Sequence, residues 1–322
     1  MNIVLLGANG YVGRAIMRAA IACPQHVQVW AQARTTDDLQ TAHNVRLFKG
    51  SLEQVHPELF PNVPHVLIHA AGKNIDHDGS GYHHTNVEGT RQLLSSCNAH
   101  TLGVLYHSSL SVLGQHRQQQ VSNTARRAPG TALARSRAAA EALVLEYCKQ
   151  HAINGYCLRP RFIFGKDDAF VMPALIRLAA KGTYIGDGRQ QYSIIDVDDY
   201  AKLMLELGRR IDTQALPCEQ IPLNMGYQQP LSFASMFSTL QGLQPGTGIK
   251  RRIPYPAALA TACNLLPFQK LKSLATQLQL IGLDHYSDIS ETRSRLHDDI
   301  LCRDSLEYFR ELAQHFKESS CN

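Results

Sequence analysis

The sequence predicts an α/β protein with a doubly wound parallel sheet and a smaller, mainly helical C-terminal lobe. Three observations carry this expectation. The apolar run Asn2–Leu6 leads straight into a Gly-rich turn. Short β-type runs then alternate with helical patterns through the first half of the chain, the mark of parallel strands joined by crossover helices. After Gly165 that rhythm stops.

In order, Asn2–Leu6 reads as a strand buried on both faces. Arg14–Ala22, with Ile16 and Ala20 one turn apart, reads as a helix. Val27–Ala31, Val45–Phe48 and Val66–His69 are the next three strands, and Asn86–Ser96 carries Val87, Leu93 and Leu94 at helical spacing. Val104–His107 is a fifth strand that ends in Ser108–Ser109. A polar loop at Gln115–Gln120 and a Pro129–Gly130 turn lead to a long helix over about Ala134–His151. Ile153–Leu158 is a sixth strand, ending before Arg159–Pro160. Beyond Gly165 the segments are mainly helical, with a second Gly/Pro cluster at Gly242–Gly248. The expected division is a dinucleotide-binding domain over residues 1–165, completed by about 189–226. A substrate-binding lobe would comprise residues 166–188 and 227–322.

Composition narrows the function classes. With 44% hydrophobic and 18% charged residues among 322, the chain is an ordinary folded protein. Thirty-two basic against 27 acidic residues leave a net charge of +5, in small groups such as Arg126–Arg127 and Lys250–Arg251–Arg252. Such groups suit an anionic small molecule; there is no continuous basic stripe with interleaved aromatics, so no nucleic acid is expected. The eight cysteines lack CxxC or metal-ligand spacing and read as reduced thiols of a cytoplasmic protein. No secretory leader is read at the N-terminus. The longest apolar stretch, Ala257–Leu266, is too short for a membrane span.

The chemistry starts at Gly7-Ala-Asn9-Gly10-Tyr11-Val12-Gly13, three glycines at intervals of three between a strand and a helix. Glycine permits the tight turn and the close approach of backbone to a pyrophosphate, and the helix start presents free N–H groups to it. This is a Rossmann phosphate-binding turn. After the second strand stands Arg34, with no acid at the strand tip. A guanidinium suits a 2′-phosphate, so NADP is the expected cofactor. NAD is the alternative, with Asp37 or Asp38 reaching back to the ribose.

Further landmarks follow in a fixed order: His69-Ala70-Ala71-Gly72, Asn86-Val-Glu-Gly-Thr90, Ser108-Ser109 leading to Gly114, Leu158-Arg159-Pro160 leading to Gly165, and Gly186-Asp-Gly188 leading to Asp196-Val-Asp-Asp199. Together they resemble the extended short-chain dehydrogenase/reductase family. The Asn224-Met-Gly226 and Arg251–Pro256 segments are similar to its branch of 3β-hydroxysteroid dehydrogenases and epimerase/dehydratases. The resemblance implies a nicotinamide cofactor held by Gly7 to Gly13, Ala70 to Gly72, Ser108, Arg159 and Pro160. It also implies a small-molecule substrate (sterol-like or a sugar nucleotide) and leans towards a homodimer.

It further implies a Ser that holds the substrate oxygen, a Tyr that moves its proton and a Lys four residues later. Ser109 matches the Ser, and Asn86 an Asn that completes the set. The Tyr and Lys positions fall on Leu133 and Arg137, and none of the twelve tyrosines has Lys four residues on. Two readings stay open. In one, another group takes the proton role of an atypical oxidoreductase or epimerase-like enzyme, with His107 foremost and His83 or His84 behind it; Tyr82 and Tyr192 could also enter the pocket, though nothing in the sequence selects them. In the other, the chain is a non-catalytic NAD(P)H-binding sensor or assembly subunit, with Arg137 still contacting the ribose. The Asp76-His77-Asp78…His83-His84 stretch has no recognised ligand spacing, so no metal is expected. No Gly-x-Ser-x-Gly elbow surrounds Ser109, which excludes a hydrolase of that type.

Overall fold

Seven strands pair in parallel to make the central sheet: β1 (Asn2–Leu6), β2 (Gln28–Ala33), β3 (Val45–Lys49), β4 (His65–His69), β5 (Thr101–His107), β6 (Asn154–Pro160) and β7 (Gln220–Met225). Their spatial order is β7-β6-β5-β4-β1-β2-β3. The computed structural model describes residues 1–76, 78–243, 248–254, 256–265, 269–297 and 299–321. His77 and positions 244–247 of the Gly242–Gly248 cluster therefore lie outside the described residues.

Each central strand serves two helical layers, because alternate side chains point to opposite faces. Ile3 and Leu5 of β1 join Val66 and Ile68 of β4 in a core shared with helices α1 (Tyr11–Ile21) and, further along the chain, Val197–Asp212. Val4, Leu6 and Leu67 face the other way. Their core is shared with α2 (Gly89–Ser95) and α3 (Ala132–Gln150). Complete burial of each Leu or Ile side chain contributes ~1.5–3 kcal/mol. This explains why the strands read as unbroken apolar runs. Helix α4 is the Val197–Asp212 segment; Arg18 of α1 ties to its first turn through Asp198 at 2.6 Å. The strand order reverses between β1 and β4, and the carboxyl ends of those strands are where an open α/β sheet binds ligands.

The C-terminal part is helical with short strand pairs. Phe162–Phe164 pairs with Ile194–Asp196, and Thr183–Ile185 with Arg251–Ile253. A four-stranded sheet joins Leu231–Ser232, Gln191–Tyr192, His285–Ser287 and Gln118–Val121. That last strand corrects the expected polar loop at Gln115–Gln120. Gln119 and Gln120 are exposed, but Gln118 is fully buried and donates to the carbonyls of Leu110 and Gly114. A second departure lies before α2, where His84–Glu88 forms a π-turn centred on Asn86. Among the described residues, no helix is long and apolar enough to cross a membrane.

One polar cluster is sealed inside the apolar layers. Glu141 of α3 is wholly buried and receives Arg159 Nε at 2.8 Å, Arg159 Nη2 at 2.6 Å and the Ser108 hydroxyl at 2.6 Å. Arg127 adds a contact at 2.9 Å, and Arg159 Nη1 donates to the Asn123 carbonyl. Removing one partner of such a pair strands the other charge in a low-dielectric interior. E141L is therefore expected to cost ~3–5 kcal/mol, read as a fall in the urea midpoint, and E141L/R159M to recover much of it. A double variant no more stable than the single one would contradict this account.

Candidate functional site

The glycine turn follows directly from β1. Gly7 has φ +89°, a conformation that favours glycine, and a Cβ there would come within 2.6 Å of the Ala71 amide nitrogen. A Cβ on Gly13 would overlap the Gly7 carbonyl. The turn is thus packed against the end of β4, at Ala70 and Ala71. Gly10 caps α1 in an extended conformation, and the first intrahelical bond runs from Arg14 N–H to Gly10 C=O. The N–H groups of Tyr11, Val12 and Gly13 are consequently the orphan donors of a helix start, aimed where an anion would lie. Among the described residues Asn9 Oδ1 and Tyr11 Oη are buried without a hydrogen-bond partner, the Tyr11 hydroxyl lying by Gly165. The helix-start donors fit a dinucleotide pyrophosphate.

Asn9 also ties the turn to the loop after β2, donating to the Thr35 hydroxyl at 2.6 Å. Arg34, next to Thr35, is exposed, and no ion pair to it occurs among the described residues. Gly72 continues from β4 against Asn86. The Asn86 side chain accepts from Lys73 N–H at 2.7 Å and donates to the Lys73 carbonyl and the Ser136 hydroxyl. Asn86 therefore pins the loop after β4 to the start of α3. The π-turn supplies the local geometry, since an extra residue in a helical turn redirects the side chain at that point.

Ser109 lies just past β5. Its backbone is extended, and its Oγ accepts the Ser111 N–H at 3.2 Å, which caps the short 3₁₀ turn Leu110–Leu113. The hydroxyl proton stays free to donate. Its neighbour Ser108 donates instead to Glu141, and Arg159 is spent on the same carboxylate. Both residues were expected at the cofactor; the structure places their side chains in this buried ion pair. Pro160 closes β6, in register with Met225.

Thr131 caps α3 by accepting the Ala134 N–H, so Leu133 and Arg137 stand one turn apart near its start. Leu133 is half-buried and presents no donor. Arg137 Nη2 donates to Asn74 Oδ1 at 2.7 Å. Tyr82 donates to the Asn74 backbone carbonyl at 3.4 Å, which brings a phenol and a guanidinium to one asparagine. Burial lowers the Arg137 pKa from its usual value, and the nearby phenols of Tyr106, Tyr82 and Tyr200 work against that.

His107 is less available than the sequence implied. Its Nδ1 meets the Tyr200 hydroxyl at 3.0 Å, and burial, with Arg137 nearby, pushes its pKa down to about 3. A neutral imidazole with that pKa is a weak base at pH 7. His83 and His84 are exposed, and Tyr192 spends its hydroxyl on the Ile281 carbonyl. Asp196 caps α4 by accepting the N–H groups of Asp198 and Asp199. Among the described residues, no three metal-ligand side chains lie together.

Glu141 and Arg161 were not singled out from the sequence as members of the site, and Tyr82 was named only as a ring that could enter the pocket. The signals were faint: Glu141 sat in an Ala-rich helical run, and Arg161 follows Arg159-Pro160 directly.

Buried histidines shape the acid response: burial lowers the pKa of His65 and His107, and of His69 and His285 as well. His69 donates from Nε2 to Thr90, whose own hydroxyl donates to the Asn86 carbonyl, while its Nδ1 is buried without a partner. Desolvation lowers its pKa to about 3, and that of His285 to about 2. Both folded values lie below the unfolded one, so the unfolded chain binds more protons as pH falls. Their stabilisation is present above about pH 6.5 and is lost below it. Between pH 7 and pH 5 each ring should remove roughly 2 kcal/mol from stability. H69Q should flatten that slope in urea titrations; an unchanged slope would refute the assignment.

The model of the family described as NAD dependent epimerase/dehydratase matches residues 3–217. The chain is 26% identical over 223 residues to a 2-alkyl-3-oxoalkanoate reductase of Stenotrophomonas maltophilia, covering 62% of this chain and 63% of that protein. It is 27% identical over 300 residues to a 4-hydroxy-2-methyl-3-oxo-4-farnesyl-3,4-dihydroquinoline-1-oxide ketoreductase of Stigmatella aurantiaca, covering 88% of this chain and 87% of that protein. In fold it is similar to UDP-glucuronic acid 4-epimerase of Bacillus cereus, with a TM-score of 0.73 at 17% identity, covering 98% of this chain and 100% of that one.

Proposed function

The chain belongs to the NAD dependent epimerase/dehydratase family, and from that premise we propose that it is an NAD(P)-dependent oxidoreductase acting on a keto or hydroxyl carbon of a small organic substrate, with a proton donor other than the usual tyrosine. The observation that carries the reading is Ser109. Its oxygen is oriented by the Ser111 N–H and its proton is free to meet a substrate oxygen. The two similar proteins named above are both keto reductases by name, which favours reduction over epimerisation.

The cofactor supplies or accepts the hydride. For the rest, this chain's own residues suffice. The N–H groups of Tyr11, Val12 and Gly13 hold the pyrophosphate, with Ala70, Ala71 and Gly72 forming the wall beside it. Arg34 takes a 2′-phosphate, which favours NADP over NAD. Arg137 holds the nicotinamide ribose. Tyr82, brought to Arg137 through Asn74, replaces Leu133 as proton donor; a phenol beside a cation suits acid–base work on a carbonyl oxygen. Residues 1–165 with 189–226 form the cofactor unit, while residues 166–188 and 227–322 select the substrate.

A second reading, a non-catalytic NAD(P)H-binding sensor or assembly subunit, draws on the half-buried apolar Leu133 where a donor is usual. Substitution separates the two. S109A and Y82F should each lower NADPH oxidation by roughly 10²–10⁴-fold with a keto substrate and leave NADPH affinity unchanged. R34Q should weaken NADPH about 10–100-fold in fluorescence titration and spare NADH. If S109A and Y82F turn over as fast as the parent chain, the assigned roles are wrong.

A further inference from the structure

Most partly buried arginines of this protein find carboxylates, and Arg14 bonds the backbone carbonyls of Asn9 and Asp38 instead. Arg159 and Arg127 share Glu141, Arg295 pairs with Glu219, Arg210 with Glu206, and Arg303 with Asp199. Arg161 does not. It follows β6 by one residue and lies half-buried with its guanidinium 5.7 Å from the Phe162 ring centre. Its Nε is buried without a hydrogen-bond partner, and no carboxylate pairs with it among the described residues. Arg137 is in a similar position, with one neutral partner, the Asn74 side chain.

These two cations share one neighbourhood. Arg137 is near enough to lower the pKa of Arg161, which burial and that repulsion push down to about 9. The groups around them are neutral: the Tyr192 phenol beside Arg161, the Tyr106 and Tyr200 phenols beside Arg137, and His285 and His107, both held uncharged. Two desolvated positive charges without a counter-charge are unfavourable unless something anionic joins them. Arg161 also stands close to the reacting residue. The Ser108 N–H bonds the Leu158 carbonyl, so Ser109 and Arg161 emerge from the ends of adjacent strands.

We propose that Arg161, in the positive field of nearby Arg137, binds the carboxylate of the substrate, which is therefore an oxo or hydroxy acid. This deepens the oxidoreductase reading and rests on it for the place of the reacting carbon beside Ser109. The anion is not the cofactor's, because its phosphates are assigned to the glycine turn and Arg34. A phosphate substrate fits less well. Phosphate sites draw on backbone N–H groups, whereas Pro160 has none and the N–H groups of Phe162 and Ser108 are bonded to Ser193 and Leu158. The donors left are planar guanidinium forks, which match a carboxylate.

The test is calorimetric titration of the NADPH-loaded full chain with a series of 2-oxo and 3-oxo acids, their methyl esters and inorganic phosphate. At least one acid should bind, with its ester weaker by about 10–100-fold and phosphate not competing. R161Q should lose acid affinity by a similar factor, keep NADPH affinity, and raise the melting temperature of the ligand-free protein by removing an unpaired desolvated charge. R161K should recover part of the binding. The assignment is overturned if no acid binds, if esters bind as well as acids, if phosphate displaces them, or if R161Q melts lower than the parent chain. Acid binding lost in R161Q, with no acid ever oxidising NADPH, would keep the anion site and remove the oxidoreductase reading. Rapid reduction of esters, indifferent to R161Q, would do the reverse.

Discussion

The Glu141 carboxylate is gripped by Arg159, Arg127 and Ser108 in the interior, and those contacts tie together the three elements that carry the site. Helix α3 brings Arg137 one turn before Glu141. Strand β5 ends in Ser108, the residue before Ser109, and β6 ends beside Arg159, two residues before Arg161. A single buried anion thus sets the relative positions of a hydroxyl and two guanidiniums. Its two cationic partners offset the cost of burial, and short charge-assisted bonds give it a defined direction.

A second constraint acts on the other side of the switch point. Gly7 and Gly13 let β1, α1 and the end of β4 approach more closely than any side chain allows. That approach leaves the helix-start N–H groups at the carboxyl end of β1. Asn86 joins the two constraints, since it fastens the loop after β4 to Ser136 of α3. The cofactor side and the substrate side are held by the same short set of hydrogen bonds.

Much of this was legible in the sequence. Strands buried on both faces leave unbroken apolar runs, so β1 to β6 could be read within a few residues, and the glycine spacing reports a backbone requirement directly. What escaped depended on contacts between distant segments. Gln118 opens a strand although it is polar, because its side chain satisfies buried carbonyls and His285, which periodicity cannot register. Arg159 and Arg161 look alike in sequence, yet one is neutralised by Glu141 and the other pairs with no acid among the described residues. Their difference arises only when α3 packs on β6. His107 shows the converse: its position beside Ser109 was readable, but the burial that keeps it neutral was not.

The central claim is that Ser109, Tyr82 and the guanidiniums of Arg137 and Arg161 still support hydride transfer despite Leu133. The most direct measurement loads the purified chain with NADPH deuterated at the transferable position, incubates it with a metabolite extract and searches by mass spectrometry for deuterium. The account predicts deuterium on the carbinol carbon of a hydroxy acid. NADPH that binds tightly and never passes deuterium to any metabolite would contradict it, and would leave a dinucleotide-binding protein without turnover.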